Sequence, residues 1–156
     1  MRTSTLCAST ALLALAVLFP LGAAAASKPF TGPAGWDHSV AVTPTPQTPR
    51  ASETWRKSDG ELLNYLADGG TVYDDTVALI KKNLTDNAFK TSIDTDRKCD
   101  GRRAHELEMT IGTSVVHQVI VDDAPGVTKL TYTRNQGLPM DPAVTAAINA
   151  YCGPST

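Results

Sequence analysis

Three histidines, His38, His105 and His117, are the residues from which any metal-binding or nucleophile-activating reading of this chain must start. Glu106 and Glu108 follow the middle one in sequence, and Gly112-Thr113 forms a turn between them and His117. A two-residue turn at that point pairs Glu108 directly with His117 across a hairpin, which brings an imidazole and a carboxylate within reach of a divalent cation. A different register gives His117 to Glu106 instead, and a one-residue slip turns the pair apart. His105 falls on the buried-looking face of its strand, where a hydrogen-bonded core or rim histidine is the expectation. Neither a metal nor a catalytic residue is assigned on these grounds. Glu108 and His117 are retained as binding candidates.

Other reactive chemistry finds no support in the residue types. Nucleophilic catalysis on an α/β-hydrolase elbow needs G-x-S-x-G, which the chain lacks. Carboxylates are scattered, and none stands in an apolar context that would raise its pKa as a glycosidase acid requires. Asp68-Gly69-Gly70 reads as a turn before a helix, not a phosphate loop, and Asp74 and Asp75 already occupy the anion-attracting end of that helix. No cofactor is implied. Asn83-Leu84-Thr85 is a glycosylation sequon that matters only in a eukaryotic secretory pathway.

The N-terminal residues place the chemistry in a compartment. Arg2, an uncharged run from Leu12 to Leu21 and the small residues Gly22 to Ala26 have the order of a secretory signal peptide, with cleavage expected before Ser27. The apolar run is too short to span a bilayer. Residues 1–26 are therefore read as a leader, and the mature protein as periplasmic or extracellular. Cys7 precedes the apolar run and leaves with it, so no lipobox is present. Cys99 and Cys152 remain as a pair in an oxidising compartment, where a disulfide is expected and a redox or metal pair would need a C-x-x-C spacing or a companion ligand. Without Arg2 the basic count falls from 14 to 13 against 16 acidic residues, formally −3, which gives no electrostatic case for nucleic acid or an anionic membrane. Arg97, Lys98, Arg102 and Arg103 cluster, but Asp94, Asp96 and Asp100 interleave with them, as in a solvated mixed-charge loop.

About 130 residues then form one domain. Residues 27–50 are rich in Pro and Thr and read as an extended arm, in which Trp36 is the exception, because a tryptophan in a polar segment docks into a core or a partner. Ser52 to Lys57 and Glu61 to Leu66 form a hairpin around Ser58-Asp59-Gly60. A helix capped by Thr71 carries the stripe Tyr73, Val77, Ile80 and Leu84, with Lys81 and Lys82 near its C-terminus. Phe89, Thr91 and Ile93 alternate with polar residues, as do His105, Leu107, Met109 and Ile111, so each set belongs to a half-buried strand. Val115 to Val121 crowds both faces of a central strand, and Val127 to Arg134 returns with Leu130 and Tyr132 inward. Asp141 caps a last helix with Pro142 at its first position, the stripe Val144, Ala147, Ile148 and Tyr151, and Gly153 as its stop. Cys152 shares that stripe, so a bridge to Cys99 ties the helix to the sheet.

These elements predict an α+β fold, an antiparallel sheet packed with amphipathic helices. With Gly35-Trp36 near the mature start, the paired short strands, the helix through Val77 and Ile80, the meander ending in Leu130-Thr131-Tyr132 and the terminal helix, the chain resembles the PsbP-like group of exported proteins over about Gly32 to Cys152. The resemblance is topological. It implies an α/β/α sandwich and a partner-binding role, and it assigns no binding residue. The expected function is thus an exported, non-catalytic binding or accessory domain for an envelope or extracellular protein or a small ligand, with Trp36, Glu108 and His117 as candidate binding residues. The alternative is a small secreted hydrolase using a carboxylate or His/Glu site, which a deep cleft holding His117 with a glutamate would favour.

Overall fold

The computed structural model describes residues 28–45, 50–57 and 60–153. The expected leader, Cys7 and the Ser58-Asp59 part of the hairpin turn lie outside the described residues. Seven strands form one antiparallel sheet in the order β1-β2-β3-β7-β6-β5-β4: β1 (Asp37–Val42), β2 (Arg50–Arg56), β3 (Leu62–Asp68), β4 (Lys90–Cys99), β5 (Arg102–Ile111), β6 (Ser114–Asp123) and β7 (Gly126–Asn135). Two helices, α1 (Tyr73–Asp86) and α2 (Pro142–Cys152), complete the fold.

The helices lie on opposite faces because the central strands are apolar on both. Along β6, Val119 and Val121 join Leu130, Tyr132 and the α2 residues Val144, Ala147, Ile148 and Tyr151 in the main core. Ile120 faces the other way, against Tyr73, Val77 and Ile80 of α1, and Leu84 of the same stripe packs on Leu107 and Met109. The alternation in β5 and the crowding in β6 are thus the signature of a sheet covered on both sides. The capping of α2 is as expected, with Asp141 Oδ1 accepting from Ala143 N at 2.7 Å.

Four local expectations need correction. Val72, not Thr71, is the N-cap of α1, and no side chain caps it. Lys81 and Lys82 stop short of the last turn of α1 and instead approach Asp94 and Asp86. The cluster around Arg97 is not a loop: β4 continues to Cys99, and only Asp100-Gly101 turns the chain into β5. A bulge between Thr91 and Ile93 then puts Thr91 opposite Met109 and Ile93 opposite Glu108, so these two residues face opposite sides of the sheet.

The Pro/Thr-rich segment is built into the domain. Asp37–Val42 pairs with β2 as an edge strand whose side chains are all exposed, which is why no apolar alternation announces it. Ahead of it Phe30 is buried, stacked on Tyr65 at 5.4 Å and edge-on to Trp55 and Tyr151. The chain passes so close over Trp55 that a Cβ on Gly32 would fall 2.0 Å from the indole. Trp36 is partly buried against the same core, its ring 6.3 Å from that of Tyr132.

The Cys99–Cys152 disulfide spans 53 residues and joins the end of β4 to the end of α2. Around it Lys28 Nζ donates to the carbonyls of Ala150 and Tyr151, and Asp100 N donates to that of Cys152 at 2.7 Å. Tyr151 donates to Asp123 Oδ2 at 2.7 Å, and Arg102 also bonds Asp123. Burial and the Asp123 carboxylate push the Tyr151 hydroxyl up to about 12, so it remains a donor. Cys152→Ser is expected to lower stability by about 2–4 kcal/mol, the usual cost of a native bridge in a small domain. Urea unfolding followed by tryptophan fluorescence measures it, and two reactive thiols in the unreduced, denatured wild type would remove the premise.

Candidate functional site: a polar cleft under the terminal helix

On the α2 face of the sheet, the inward positions of β4, β5, β6 and β7 change from apolar to charged toward one end. Arg97 and Ile93 come from β4, Glu106 and Glu108 from β5, His117 from β6 and Arg134 from β7. The Gly112-Thr113 turn sets Ile111 opposite Ser114 and Glu108 opposite His117, the register expected of a two-residue hairpin. Between these strands and α2 lies a cleft of about 220 Å³, walled by Arg97, Glu106, Glu108 and His117 on the sheet and by Ile93, Met140 and Ile148, with Thr145 and Asn149 on the helix side.

His117 is 6% exposed and sits between the two glutamates. Its Nε2 is 3.1 Å from Glu106 Oε1, and its Nδ1 is 3.6 Å from Glu108 Oε2. The nearer partner is the diagonal one, Glu106, although Glu108 is the cross-strand neighbour. Each carboxylate is also held by an arginine: Arg97 Nη1 donates to Glu106 Oε2 at 2.8 Å, and Arg134 Nη2 to Glu108 Oε2 at 2.9 Å. Ser92 Oγ, in the bulge of β4, donates to Glu108 Oε1 at 2.8 Å.

This network fixes the protonation of the acids. The hydrogen bond with His117 and the Arg97 guanidinium outweigh burial and hold Glu106 down at about 2. Burial pushes Glu108 upward, but Arg134 and Ser92 prevail and its pKa is also lowered. Both groups are therefore anions at neutral pH, and their four oxygens are engaged. Arg97 Nη2 and Arg134 Nη1 are buried and have no hydrogen-bond acceptor among the described residues.

The other candidates lie elsewhere. Trp36 is not in the cleft wall; it packs on Tyr132, whose hydroxyl donates to the buried Glu61 at 2.8 Å. His38 stacks on Trp55 at 4.7 Å and pairs with Glu53 at the sheet edge. His105 is on the opposite face, 1% exposed, with Nδ1 bonded to Asp96 at 2.8 Å and Nε2 2.9 Å from Asp94. Among the described residues no group of three or more His, Cys, Asp or Glu is arranged to hold a metal ion, and no helix is long and apolar enough to cross a membrane.

Sequence reasoning missed both arginines. Arg134 continues the inward series Leu130, Tyr132, Arg134 of β7, and that alternation is the signal that could have found it. Arg97 shares a face with Cys99, which is legible only once β4 is known to run through the charged cluster. Comparison with protein-family models, with curated proteins and with solved structures finds no match.

The lowered Glu106 pKa predicts acid sensitivity. Its folded value lies below the ordinary 4.5, so the stabilisation is present above about pH 4.5 and is lost as pH falls toward about 2. Glu106→Gln should be less stable than wild type at pH 7 by about 2–3 kcal/mol, and most of that gap should close at pH 2.5. Urea unfolding at the two pH values checks this; a gap that does not change with pH would refute it.

Proposed function

We propose that this chain is an exported, non-catalytic domain that binds a small ligand in the cleft under α2. The observation that carries the reading is the pairing of the site's charged groups. A hydrolase built on two carboxylates needs one of them protonated near neutral pH as a general acid, whereas bonds with His117 and Arg97 lower the pKa of Glu106, and bonds with Arg134 and Ser92 that of Glu108. A histidine acting as general base needs an acceptor nitrogen open to substrate, and both ring nitrogens of His117 lie against carboxylate oxygens. What this arrangement offers is a rigid polar wall facing an apolar one, the composition of a binding pocket. Trp36, packed on the core, supports the frame of the sheet.

Export is part of the proposal. It rests on the order of residues 1–26 and on a disulfide of the kind that persists in oxidising compartments. The two-sided antiparallel sheet and the helix on each face are also what a PsbP-like sandwich would have, and a partner-binding or accessory role accords with it.

A fragment screen of neutral, anionic and cationic compounds against the oxidised protein, read by chemical shifts of His117 and the Met140 methyl group, tests the binding reading. Compounds of at least one class should shift both residues in a saturable way. A screen in which none does so would overturn it, and hydrolysis of a surveyed ester or glycoside that is lost in Glu106→Gln would favour the hydrolase. N-terminal sequencing of the protein recovered from an expressing culture tests export: the first residue should be Ser27, and a chain that keeps residues 1–26 would overturn it.

A further inference from the structure

β4 closes the sheet on one side, so half of its backbone hydrogen-bonding groups meet no neighbouring strand. Which half follows from the Asp100-Gly101 turn. Both turn residues have positive φ, 53° and 79°, so this is a two-residue hairpin in which Cys99 and Arg102 form the closing, hydrogen-bonded pair. Counting back, Arg97 and Thr95 also bond to β5, while Lys98, Asp96 and Asp94 turn their N–H and C=O groups outward. Among the described residues only two long side-chain contacts reach this row, Thr95 Oγ1 to Asp96 O and Arg97 Nε to Lys98 O, each at 3.4 Å. Ile93 to Cys99 runs in unbroken register with β5, and of these residues only Ile93, Arg97 and Cys99 are not exposed. β1, at the other edge, is six residues long and interrupted by a bulge between Val40 and Val42.

The side chains beside the row describe the strand that fits it. Asp94 and Asp96 are already committed: Asp94 Oδ1 lies 3.6 Å from Lys81 Nζ and 2.9 Å from His105 Nε2, and Asp96 bonds His105 Nδ1 at 2.8 Å. Lys90 and Lys98, near the two ends of β4, are exposed, and their ammonium groups have no partner among the described residues. The uncommitted charge of this edge is therefore positive, and its complement is acidic. β4 also walls a recess on each face: the cleft under α2 through Ile93 and Arg97, and a depression of about 500 Å³ beside Tyr73 and Val77 of α1 through Asp96 and Lys98. Alternate side chains of an added strand point to the two faces in turn, toward one recess and then the other. A second copy of β4 fits poorly. Two-fold pairing centred on Asp94, Thr95, Asp96 or Arg97 sets Asp94 against itself, Asp94 against Asp96, Asp96 against itself or Arg97 against itself.

We propose that the outer edge of β4 receives an extended acidic segment of a partner protein as an added strand, its backbone pairing with Asp94, Asp96 and Lys98 and its acidic residues meeting Lys90 and Lys98. This surface is separate from the ligand cleft, because the bonds that hold the added strand are main-chain bonds at the sheet edge.

Synthetic nine-residue peptides titrated into the oxidised protein test the assignment: one with glutamates at both ends and alternating Val and Thr between, one with lysines at the ends instead, and one with the glutamates and a central proline. The first should bind saturably and shift the backbone amides of Asp94, Asp96 and Lys98. Lysine ends or the central proline should each weaken binding by about tenfold or more, through charge repulsion or a lost ladder bond. Asp96→Pro, which deletes an outward N–H where an edge strand tolerates proline, should weaken the first peptide at least as much. Lys98→Glu keeps the backbone and should remove the preference for glutamate ends, a test that holds even if Asp96→Pro fails to fold. No binding of the first peptide, equal binding of either of the others, full affinity in a folded Asp96→Pro, or an unchanged preference in Lys98→Glu would each overturn it. So would a solution dimer that Asp96→Pro converts to a monomer, which would give the edge to a second copy. Shifts confined to His117 and Met140 would place the peptide in the cleft, keeping the binding reading and removing the edge site.

Discussion

The register of β5 on β6 is the constraint from which the site and both cores follow. Gly112-Thr113 is a two-residue turn, so Ile111 faces Ser114 and every later pair is counted from there. With this register Glu106, Glu108 and His117 share the α2 face, while His105, Leu107 and Met109 go to the α1 face. A shift of one residue would send Leu107 and Met109 toward α2 and bury Glu106 and Glu108 under α1, away from both arginines. The apolar demand of two covered faces and the charge demand of one end of the sheet therefore select the same pairing, and each reinforces the other.

The charged end of the α2 face is tolerated because its groups neutralise one another. A lone buried carboxylate would be expensive, but here each is bonded to a guanidinium and flanked by an imidazole. The cost reappears as the unpaired nitrogens of Arg97 and Arg134. Structural networks usually close on themselves, as Arg102, Asp123, Thr128 and Tyr151 do at the opposite end of the same face. That contrast, between a closed network beside the disulfide and one with unpaired nitrogens beside the cleft, separates the part of the α2 face that holds the helix from the part where the cleft lies.

Anchoring at both ends of α2 also explains why a cleft can exist beneath it. α2 is fastened near its C-terminus by the disulfide, by Lys28 and by the Tyr151 network, and near its N-terminus by Asp141, which accepts from Lys57 Nζ at 2.7 Å as well as capping the helix. Burial pushes the Asp141 pKa upward, but the bond from Lys57 and its own capping bonds bring it below the ordinary value, so the cap stays charged. Held at both ends, the helix spans the charged strands without having to collapse onto them.

Much of this fold is legible in the residue order. The α2 cap and stripe, the two-faced β6, the hairpin register at Gly112-Thr113 and the Cys99–Cys152 pairing rest on local periodicity, turn chemistry and the count of cysteines, which short stretches of chain carry by themselves. β1 carries no such signal, because an exposed edge strand has no apolar face to announce it, and Phe30 takes its place in the core only once Trp55, Tyr65 and Tyr151 have assembled around it. The site is of the second kind as well. His117 and Glu108 could be paired from the turn, but the closer Glu106, the arginines from two further strands and Ile93, turned inward by a bulge, meet only through sheet order and strand continuation. Those depend on contacts between residues far apart in the chain, and no local pattern encodes them.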